Sequence, residues 1–301
     1  MNAKNGLRLF HGISIILFLL TAVAIFRSYN PVPVKIAQTS TEQDIQSKAQ
    51  KQDAENHWVR ENLAGSVMTI ERQSSIDIQL FGTAEKTGKP IFRIRKSLGG
   101  SLGAGPVIKD CQGCILTAKH VADVSDLSEQ LSQIIASVQK DSPGFFVDGK
   151  LKTEYTAIDH NGKKYSARVV ALDKNDTGLL RIKDWKHFSI PGIEVYRGKD
   201  VLDKESVIVG APYGFRDVIY FDVHTGDGKI IEEEDGKYMQ FTAPIVPGNS
   251  GGPVIMLYNH KIVGIVSSVV SKEGRFANVG LMVPSFVINE FLEKAVPKAN
   301  K

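Results

Sequence analysis

The sequence predicts an all-β protein with a single inserted helix. Short runs of β-branched and aromatic residues alternate with Gly-rich turns along most of the chain, and many evenly spaced strands are typical of sandwiches and barrels. We find no regular alternation of strands with helices and no internal repeat. With 42% hydrophobic and 23% charged residues among 301, the composition excludes a largely disordered chain.

The predicted strands are short apolar runs bounded by turn residues. In chain order they are Ser66–Ile70, Pro90–Arg95, Gly105–Ile108, Cys114–Ala118, Tyr165–Leu172, Leu179–Ile182, Ser206–Val209, Tyr238–Thr242, Pro253–Leu257, Lys261–Val266 and Gly280–Val283.

The segment Asp126–Asp141 departs from this pattern. Its apolar residues follow one another at offsets of 0, 4, 7, 8 and 11, which places them on one face of a helix; they are Leu127, Leu131, Ile134, Ile135 and Val138. We expect Ser125 to cap the helix and Pro143-Gly144 to end it. The apolar face should pack on the body of the domain, with a lid or a partner-binding helix as the alternative.

The amino terminus has the features of an export segment. Residues 1–27 contain three basic residues and no acidic ones. This segment therefore has a charge of +3, and the rest of the chain contributes only +1 to the net charge of +4. An apolar run from Gly12 to Phe26 follows the first two basic residues, Lys4 and Arg8. The net charge is therefore a poor indicator of an acidic partner, and we expect no nucleic acid.

Two interpretations of this segment stay open. It is either an uncleaved signal-anchor or a signal peptide cleaved at Ala22-Val23-Ala24, which has the A-x-A form. A buried core helix is disfavoured, because basic residues flank the run. The positive-inside rule keeps Lys4 and Arg8 in the cytoplasm and sends the remainder across the membrane. We therefore expect an inner-membrane anchor with a periplasmic or extracellular domain, or a secreted protein if the segment is cleaved near Ala24.

Residues 28–57 are predicted to be a flexible tether. They are polar after Pro31-Val32-Pro33 and cannot bury enough apolar surface to offset ordering. A short solvated helix over Thr41–Asn56 is the alternative. The folded domain is therefore expected at residues 58–297.

A Gly-rich string is the first of three motifs that indicate chemistry. It reads Gly248-Asn249-Ser250-Gly251-Gly252-Pro253. Glycines on both sides of a serine permit a turn that presents its hydroxyl. The backbone N–H groups of such a turn can point together at a developing oxyanion.

The other two motifs would supply a base and an acid. The β-rich run Ile115–Val121 delivers His120 to the end of a strand, and histidine is the usual general base for a serine hydroxyl. Asp176 enters the apolar run that ends at Ile182, where a charge is costly unless it is paired. Pairing with a histidine N–H supplies that partner, whereas Asp173 lies further from the strand and is expected to be solvated.

In this order and setting, His120, Asp176 and Ser250 resemble the triad of the chymotrypsin-like serine proteases, and most of all the bacterial HtrA/Deg branch. Further similarities to that branch lie at Leu116–Val121 (histidine motif), Asp176–Ile182 (aspartate motif), Gly210–Gly214 (G-x-P-x-G turn), Gly248–Pro253 (nucleophile motif) and Gly264–Ser267 (substrate wall). The resemblance covers roughly Leu63 to Glu293. It implies two six-stranded antiparallel β-barrels with the triad between them.

The resemblance also implies the roles of single residues. Ser250 would be the nucleophile, His120 the general base and Asp176 its orienting acid, with Ser267 hydrogen-bonded to Asp176. The oxyanion hole would lie at Gly248, Asn249 and Ser250, with the N–H groups of the first and last as donors. The substrate pocket would be lined by Pro244, Ile245, Val246, Ser267, Ser268 and Val269. None of these is acidic, so small or aliphatic side chains are favoured over Lys or Arg.

The predicted activity is that of a serine endopeptidase acting on exported or misfolded proteins, without cofactor or metal. Its partners would be polypeptide substrates, the membrane and, as in the family, a homo-oligomer. The alternatives are a silent or partner-activated protease fold that binds peptides, and a disulfide-handling protein. Two small departures occur at Thr177 and Gly178, and too few residues follow Phe291 for the PDZ domain usual in that branch.

Two smaller features complete the sequence-based predictions. The resemblance places Cys111 and Cys114 at a hairpin turn just before the histidine strand, where a disulfide is favoured outside the cytoplasm; free thiols and a redox pair are the alternatives. The acidic run Glu232–Asp235 is expected to be a solvated hairpin tip, with a calcium loop as the alternative.

Overall fold

A computed structural model of the chain describes residues 54, 57–82, 90–141, 145–198, 201, 205–216, 218–233, 236–243, 245–272 and 275–300. The predicted export segment and nearly all of the predicted tether lie outside these residues. None of the helices within the described part has the length and apolar character needed to span a bilayer.

Six strands form the first sheet: β1 (Val67–Phe81), β2 (Phe92–Pro106), β3 (Cys114–Ala118), β4 (Phe146–Ile158), β5 (Lys164–Asp173) and β6 (Thr177–Ile182). The sheet is antiparallel in the order β2-β1-β4-β5-β6-β3. Its two edges meet again just beyond β2, where Val107 forms an isolated bridge with Ile115. The sheet therefore curls into a partly open barrel.

Six more strands form the second unit: β7 (Glu205–Gly210), β8 (Val218–Glu233), β9 (Gly236–Thr242), β10 (Pro253–Met256), β11 (Ile262–Lys272) and β12 (Arg275–Pro284). They make a closed antiparallel barrel in the order β10-β11-β12-β9-β8-β7. Pairing of β10 with β7 completes the closure. The prediction of two six-stranded antiparallel units is confirmed, with one of them fully closed.

Within the described residues, four α-helical segments accompany the strands: α1 (residues 57–62), α2 (Lys119–Ala122), α3 (Ser125–Asp141) and α4 (Ser285–Ala299). The last of these packs buried apolar side chains into a cluster that also contains Leu116 and Leu179 of the first sheet and Ile265 and Val283 of the barrel. This shared core fixes the position of the two units relative to each other.

The predicted inserted helix is confirmed as α3, and its apolar face packs on the domain in part, since Ile134 is exposed. Leu131 is buried, and a Cβ at Gly149 of β4 would lie 2.6 Å from Ile135 Cδ1. The predicted N-cap is wrong by a small margin. Ser125 is already helical, and its N–H donates to Oδ1 of Asp123 at 2.9 Å. Pro143 and Gly144 lie outside the described residues.

Several elements differ from the prediction. The runs Pro90–Arg95 and Gly105–Ile108 largely fall within the single strand β2, whose glycines interrupt the apolar pattern. A glycine is needed at 105, because a Cβ there would lie 2.3 Å from the carbonyl oxygen of Leu116. The sequence pattern does not predict β4, β8 or α4, and Pro297, the expected end of the domain, lies inside α4.

Candidate active site

His120 lies on α2, which follows β3 directly. Its neighbours Val121 and Ala122 are buried, whereas His120 itself is exposed at the domain surface. The buried pair fixes the turn in the core and leaves the imidazole accessible.

Three side chains bind the last carbonyls of this turn. Ser101 Oγ donates to the carbonyl of Val121 at 2.8 Å, and Tyr155 Oη donates to that of Ala122 at 2.6 Å. The guanidinium of Arg72 donates to the carbonyl of Asp123. These bonds satisfy carbonyls that a helix end would leave unpaired. No sequence pattern indicates them, because the donors lie on strands far away along the chain.

Asp176 lies at the end of the turn between β5 and β6, with a φ of 51°. It is 8% exposed, and its carboxylate faces His120. Nδ1 of His120 lies 3.0 Å from each carboxylate oxygen, and the backbone N–H of His120 donates to Oδ1 at 3.0 Å. The backbone N–H of Lys119 donates to the carbonyl of Asp176 at 3.0 Å. The predicted pairing of Asp176 with His120 is therefore present.

Burial by itself would raise the pKa of Asp176. Hydrogen bonds from His120 and Ser267 outweigh that effect and hold the pKa below its ordinary value. The carboxylate is therefore ionised at neutral pH and accepts the proton on Nδ1, which leaves Nε2 of the imidazole as the nitrogen able to accept another.

Ser267 connects the two units at this point. It lies on β11, and its hydroxyl donates to Oδ2 of Asp176 at 2.5 Å. The carbonyl of the same residue accepts a hydrogen bond of 3.4 Å from Oγ of Ser250. Within the described part of the chain, Oγ of Ser250 has no hydrogen bond to His120. Ser250 is thus linked to His120 only indirectly, through Ser267 and Asp176, within the described residues.

Gly248 and Ser250 present two unused backbone donors. Neither N–H donates to any residue that the structure describes, whereas the N–H of Asn249 donates to the carbonyl of Val246 at 3.1 Å. Of the three residues predicted for an oxyanion hole, two therefore have donors available. Gly248 has a φ of 99°, and a Cβ there would lie 2.1 Å from the carbonyl oxygen of Ala211, so only glycine fits.

Backbone hydrogen bonds hold this turn from both sides. The N–H of Tyr213 donates to the carbonyl of Pro247 at 2.8 Å, and the N–H of Gly251 donates to that of Val266 at 2.7 Å. From the first sheet, the N–H of Ala104 donates to the carbonyl of Ser250 at 2.8 Å. The nucleophile motif is therefore fixed at the junction of both units.

Of the residues predicted to line a substrate pocket, Ser267, Ser268 and Val269 lie on β11, and Ile245 belongs to a buried cluster with Val263 and Val266 of that strand. Ile245 and Ser267 are buried and Ser268 is exposed, while Pro244 and the side chain of Val269 are outside the described part. Phe241 and Gly280 lie beside this part of β11, and no sequence motif indicates them. Gly280 pairs with both Val269 and Phe241 across the sheet, and a Cβ at Gly280 would lie 2.2 Å from Cζ of the fully buried Phe241.

A cavity of about 400 Å³ borders the imidazole of His120. Its other lining residues come from β1, from α2 and the residues after it, from the start of α3 and from the turn before β6; among them are Arg72, Lys119, Asp123, Leu127, Lys174 and Asp176. Within this cavity, Lys119 pairs with Asp123 at 3.7 Å.

Cys111 and Cys114 form a disulfide, with a Cα–Cα distance of 5.3 Å. They are 3% and 0% exposed and lie in the shared core, which disfavours the redox role because thiol exchange needs access. Of the acidic run, Glu232 and Glu233 pair with Lys237 and Gly236 across a hairpin, while Glu234 and Asp235 lie outside the described residues. Across the described residues, no group of three or more His, Cys, Asp or Glu side chains could hold a metal ion.

Two six-stranded antiparallel units that meet at a His, Asp and Ser cluster define the trypsin-like class of protein folds. Residues 103–265, more than half of the chain, match the family model of the trypsin-like peptidase domain, and the chain belongs to this family.

Bacterial proteases are among its relatives. The chain is 28% identical over 171 residues to a probable periplasmic serine endoprotease DegP-like of Chlamydia trachomatis serovar D, covering 51% of this chain and 33% of that protein. It is 24% identical over 200 residues to the periplasmic serine endoprotease DegP of Salmonella typhimurium, covering 65% and 36%. The chain thus spans about a third of the length of these relatives.

Solved structures of HtrA-type proteases have a similar fold. The protease AlgW with a tripeptide superposes with a TM-score of 0.53 at 17% identity, covering 80% of this chain and 63% of that one. The same protease with a decapeptide gives 0.53 at 16% identity, covering 81% and 67%.

Proposed function

We propose that this protein is a serine endopeptidase that uses Ser250, His120 and Asp176. The main support is the bond network around Ser267, which joins the carboxylate paired with His120 to the hydroxyl of Ser250. An ionised, largely buried carboxylate that orients a histidine beside a serine is the arrangement that activates a hydroxyl nucleophile. The names of the relatives agree with this chemistry.

In the proposed reaction, the hydroxyl of Ser250 turns from the carbonyl of Ser267 to Nε2 of His120. Oγ attacks the substrate carbonyl carbon while His120 accepts its proton, and Asp176 stabilises the resulting imidazolium. The N–H groups of Gly248 and Ser250 bind the oxyanion. His120 then gives the proton to the leaving amine, and a water molecule hydrolyses the acyl-enzyme by the same steps in reverse order.

The pocket for the residue before the cleaved bond should accept small or aliphatic side chains. No acidic side chain lines it among the residues that are described, so Lys and Arg would find no partner. The ring of Phe241 occupies the space next to Gly280. Cleavage of a peptide library measures this preference, and dominant cutting after Lys or Arg would contradict it.

The substrates would be exported or misfolded polypeptides. Two observations support this: the basic and apolar amino-terminal segment, and the periplasmic relatives. In this proposal, residues 1–27 anchor the chain in the inner membrane or are removed after export. Residues 28–57 tether the domain, and the assembly would be a homo-oligomer, as the family resemblance implies.

Replacing the nucleophile tests the activity directly. Ser250→Ala should lower casein hydrolysis by at least about 10³-fold, because the reacting oxygen is lost, while the circular dichroism spectrum stays unchanged. Ser128→Ala, an exposed serine on α3, is the matched control and should keep full activity. Unchanged hydrolysis by Ser250→Ala would rule out the mechanism.

A second candidate is a peptide-binding or partner-activated protein with a protease fold. The observation that favours it is the bond from Ser250 to Ser267 in place of one to His120. Reaction with a fluorophosphonate probe separates the two functions. Labelling that Ser250→Ala abolishes supports the active enzyme, and an intact wild-type chain that takes up no probe supports the alternative.

A further inference from the structure

We propose that Tyr213 and Phe215 form an apolar subsite for the substrate residues that follow the cleaved bond. The inference rests on the proposed endopeptidase function and adds the side-chain chemistry that is selected on the leaving-group side. The ligand is an extended polypeptide with an aromatic or large aliphatic residue within the first three positions after the bond.

The two rings are among the most exposed apolar side chains of the described residues. Tyr213 is 67% exposed and Phe215 is 70% exposed, and only one residue separates them along the chain. Adjacent exposed aromatic residues are typical of binding surfaces, because rings give large contact areas at low cost in conformational entropy.

The backbone of Tyr213 is in an unusual conformation for an aromatic residue. Its φ is 50°, a region in which glycine and asparagine are easily accommodated and bulky residues are outliers. The buried Pro212 and the hydrogen bond from Tyr213 to Pro247 hold this conformation. A strained residue whose ring has no packing role inside the domain indicates a function outside it.

The loop that carries the rings is hydrogen-bonded to the turn Pro247–Ser250, called here the oxyanion turn. Besides the bond from Tyr213, the N–H of Ala211 donates to the carbonyl of Gly248 at 3.3 Å. Next to the rings, a Cβ at Gly214 would lie 3.5 Å from Cδ2 of Leu102 on β2. The following residue on β2, Gly103, is so close to Ser250 that a Cβ would lie 2.8 Å from its carbonyl oxygen.

Different elements therefore flank Ser250. Its hydroxyl faces Ser267 on β11, the wall proposed for the residues before the cleaved bond. Its carbonyl faces β2, which leads through Leu102 to Tyr213 and Phe215. A polypeptide bound along β11, with its scissile carbonyl at the oxyanion turn, continues past Ser250 on the side of β2. With about 3.3 Å per extended residue, the first residues after the bond reach the rings.

Matched substrates test the subsite on the purified full-length chain. One is a peptide aminocoumarin amide, which has no residue after the bond. The others are quenched peptides with the same acyl side and either Phe or Ser two positions after the bond. The wild-type chain should cleave the Phe peptide at least about 10-fold faster in kcat/KM than the Ser peptide.

The variants Phe215→Ala and Tyr213→Asn should reduce this preference to less than about 2-fold. Asparagine tolerates the positive φ, so Tyr213→Asn removes the ring while the loop keeps its conformation. For Phe215→Ala, which leaves the bond from Tyr213 to Pro247 in place, activity on the aminocoumarin amide should stay within about 2-fold of wild type. Phe92→Ala is the control, since Phe92 is 57% exposed but lies at the opposite end of β2 from Leu102.

Three results would overturn the subsite. They are a wild-type chain without preference, variants that lose activity on all substrates alike, and variants whose oligomer mass changes in light scattering. Loss of activity on all substrates would mean that the rings support the oxyanion turn. A change in oligomer mass would mean that the rings form contacts between copies of the chain.

A binding measurement separates the subsite from the proposed function. In the Ser250→Ala background, fluorescence anisotropy should show the Phe peptide binding at least about 5-fold more weakly after Phe215→Ala. If this loss is found and no substrate is hydrolysed by the wild type, the endopeptidase function fails and the subsite stands. If substrates are hydrolysed but the rings affect neither binding nor rate, the subsite fails and the endopeptidase function stands.

Discussion

The two halves of the candidate site are held in place by different kinds of bonds. His120 is fixed mainly by side chains, since Ser101, Tyr155 and Arg72 bind the carbonyls that follow it and Asp176 binds its ring and N–H. The turn around Ser250 is fixed by backbone hydrogen bonds and by glycines that no side chain could replace.

This difference predicts how each half responds to substitution. The histidine half should lose function gradually as single side chains are removed, because several donors share the same turn. The serine half should tolerate changes of side chain poorly at its glycines, because there the backbone itself is the functional group. The site thus combines a network that can be weakened in steps with a turn that is either formed or lost.

The largest effect in this comparison is expected for Gly248→Ala. Its Cβ would clash with the carbonyl oxygen of Ala211 at 2.1 Å, so the oxyanion turn must open. We expect kcat/KM on a peptide substrate to fall about 10²–10³-fold, the loss typical of one oxyanion donor.

Gly99→Ala is the matched control for this substitution. Gly99 also has a positive φ, of 84°, but a Cβ there meets nothing within 4 Å. It should retain activity within about 3-fold. Equal losses in the two variants would mean that backbone strain alone, and not the oxyanion turn, limits activity.

The residues of the site could be predicted from the sequence better than their surroundings. His120, Asp176 and Ser250 lie in short motifs whose residue types have few other uses, and the structure brings them together around Ser267. The supports were not predictable, because Tyr155 lies on β4, whose Gly149 and alternating charges are typical of a loop. Pairing with β1, from Phe146 opposite Phe81 to Ile158 opposite Thr69, makes that segment a strand, which is an effect of tertiary structure on local preference.

The bond from Ser267 to Asp176 joins the halves, and its loss should have an intermediate effect. Ser267→Ala removes a hydrogen bond to a charged group, and we expect kcat/KM to fall about 10-fold, equivalent to about 1.4 kcal/mol. Ser267→Thr keeps a hydroxyl on the strand and should recover most of the activity. Failure of the threonine variant to recover would indicate a packing role for the serine.

The same substitution should change the dependence of stability on pH. Because the pKa of Asp176 is lower in the folded state, its contribution is present above the unfolded pKa and is lost as pH falls through the folded value. Without the Ser267 donor the folded pKa rises, so Ser267→Ala should lose less stability on acidification. Urea unfolding between about pH 7 and pH 3 measures this, and identical curves for both chains would contradict it.

The smallest effect should come from Tyr155→Phe. The variant removes one of the three bonds to the turn after His120, and we expect a loss of about 1 kcal/mol in unfolding free energy and of less than about 5-fold in kcat/KM. Tyr165→Phe removes a comparable bond, to Asp159 at 3.1 Å, and should lower stability without lowering activity. A similar loss of activity in both variants would remove the special role of Tyr155.

The position of Ser267 also has a consequence for the newly made chain. A polypeptide emerges from the ribosome with its amino terminus first, and domains fold as their parts become available. His120 and Asp176 emerge well before Ser250, and the donor that joins the halves follows still later. In the proposed mechanism, an incomplete chain therefore carries an acid and a base without a nucleophile, so it would have no peptidase activity until its last barrel is assembled.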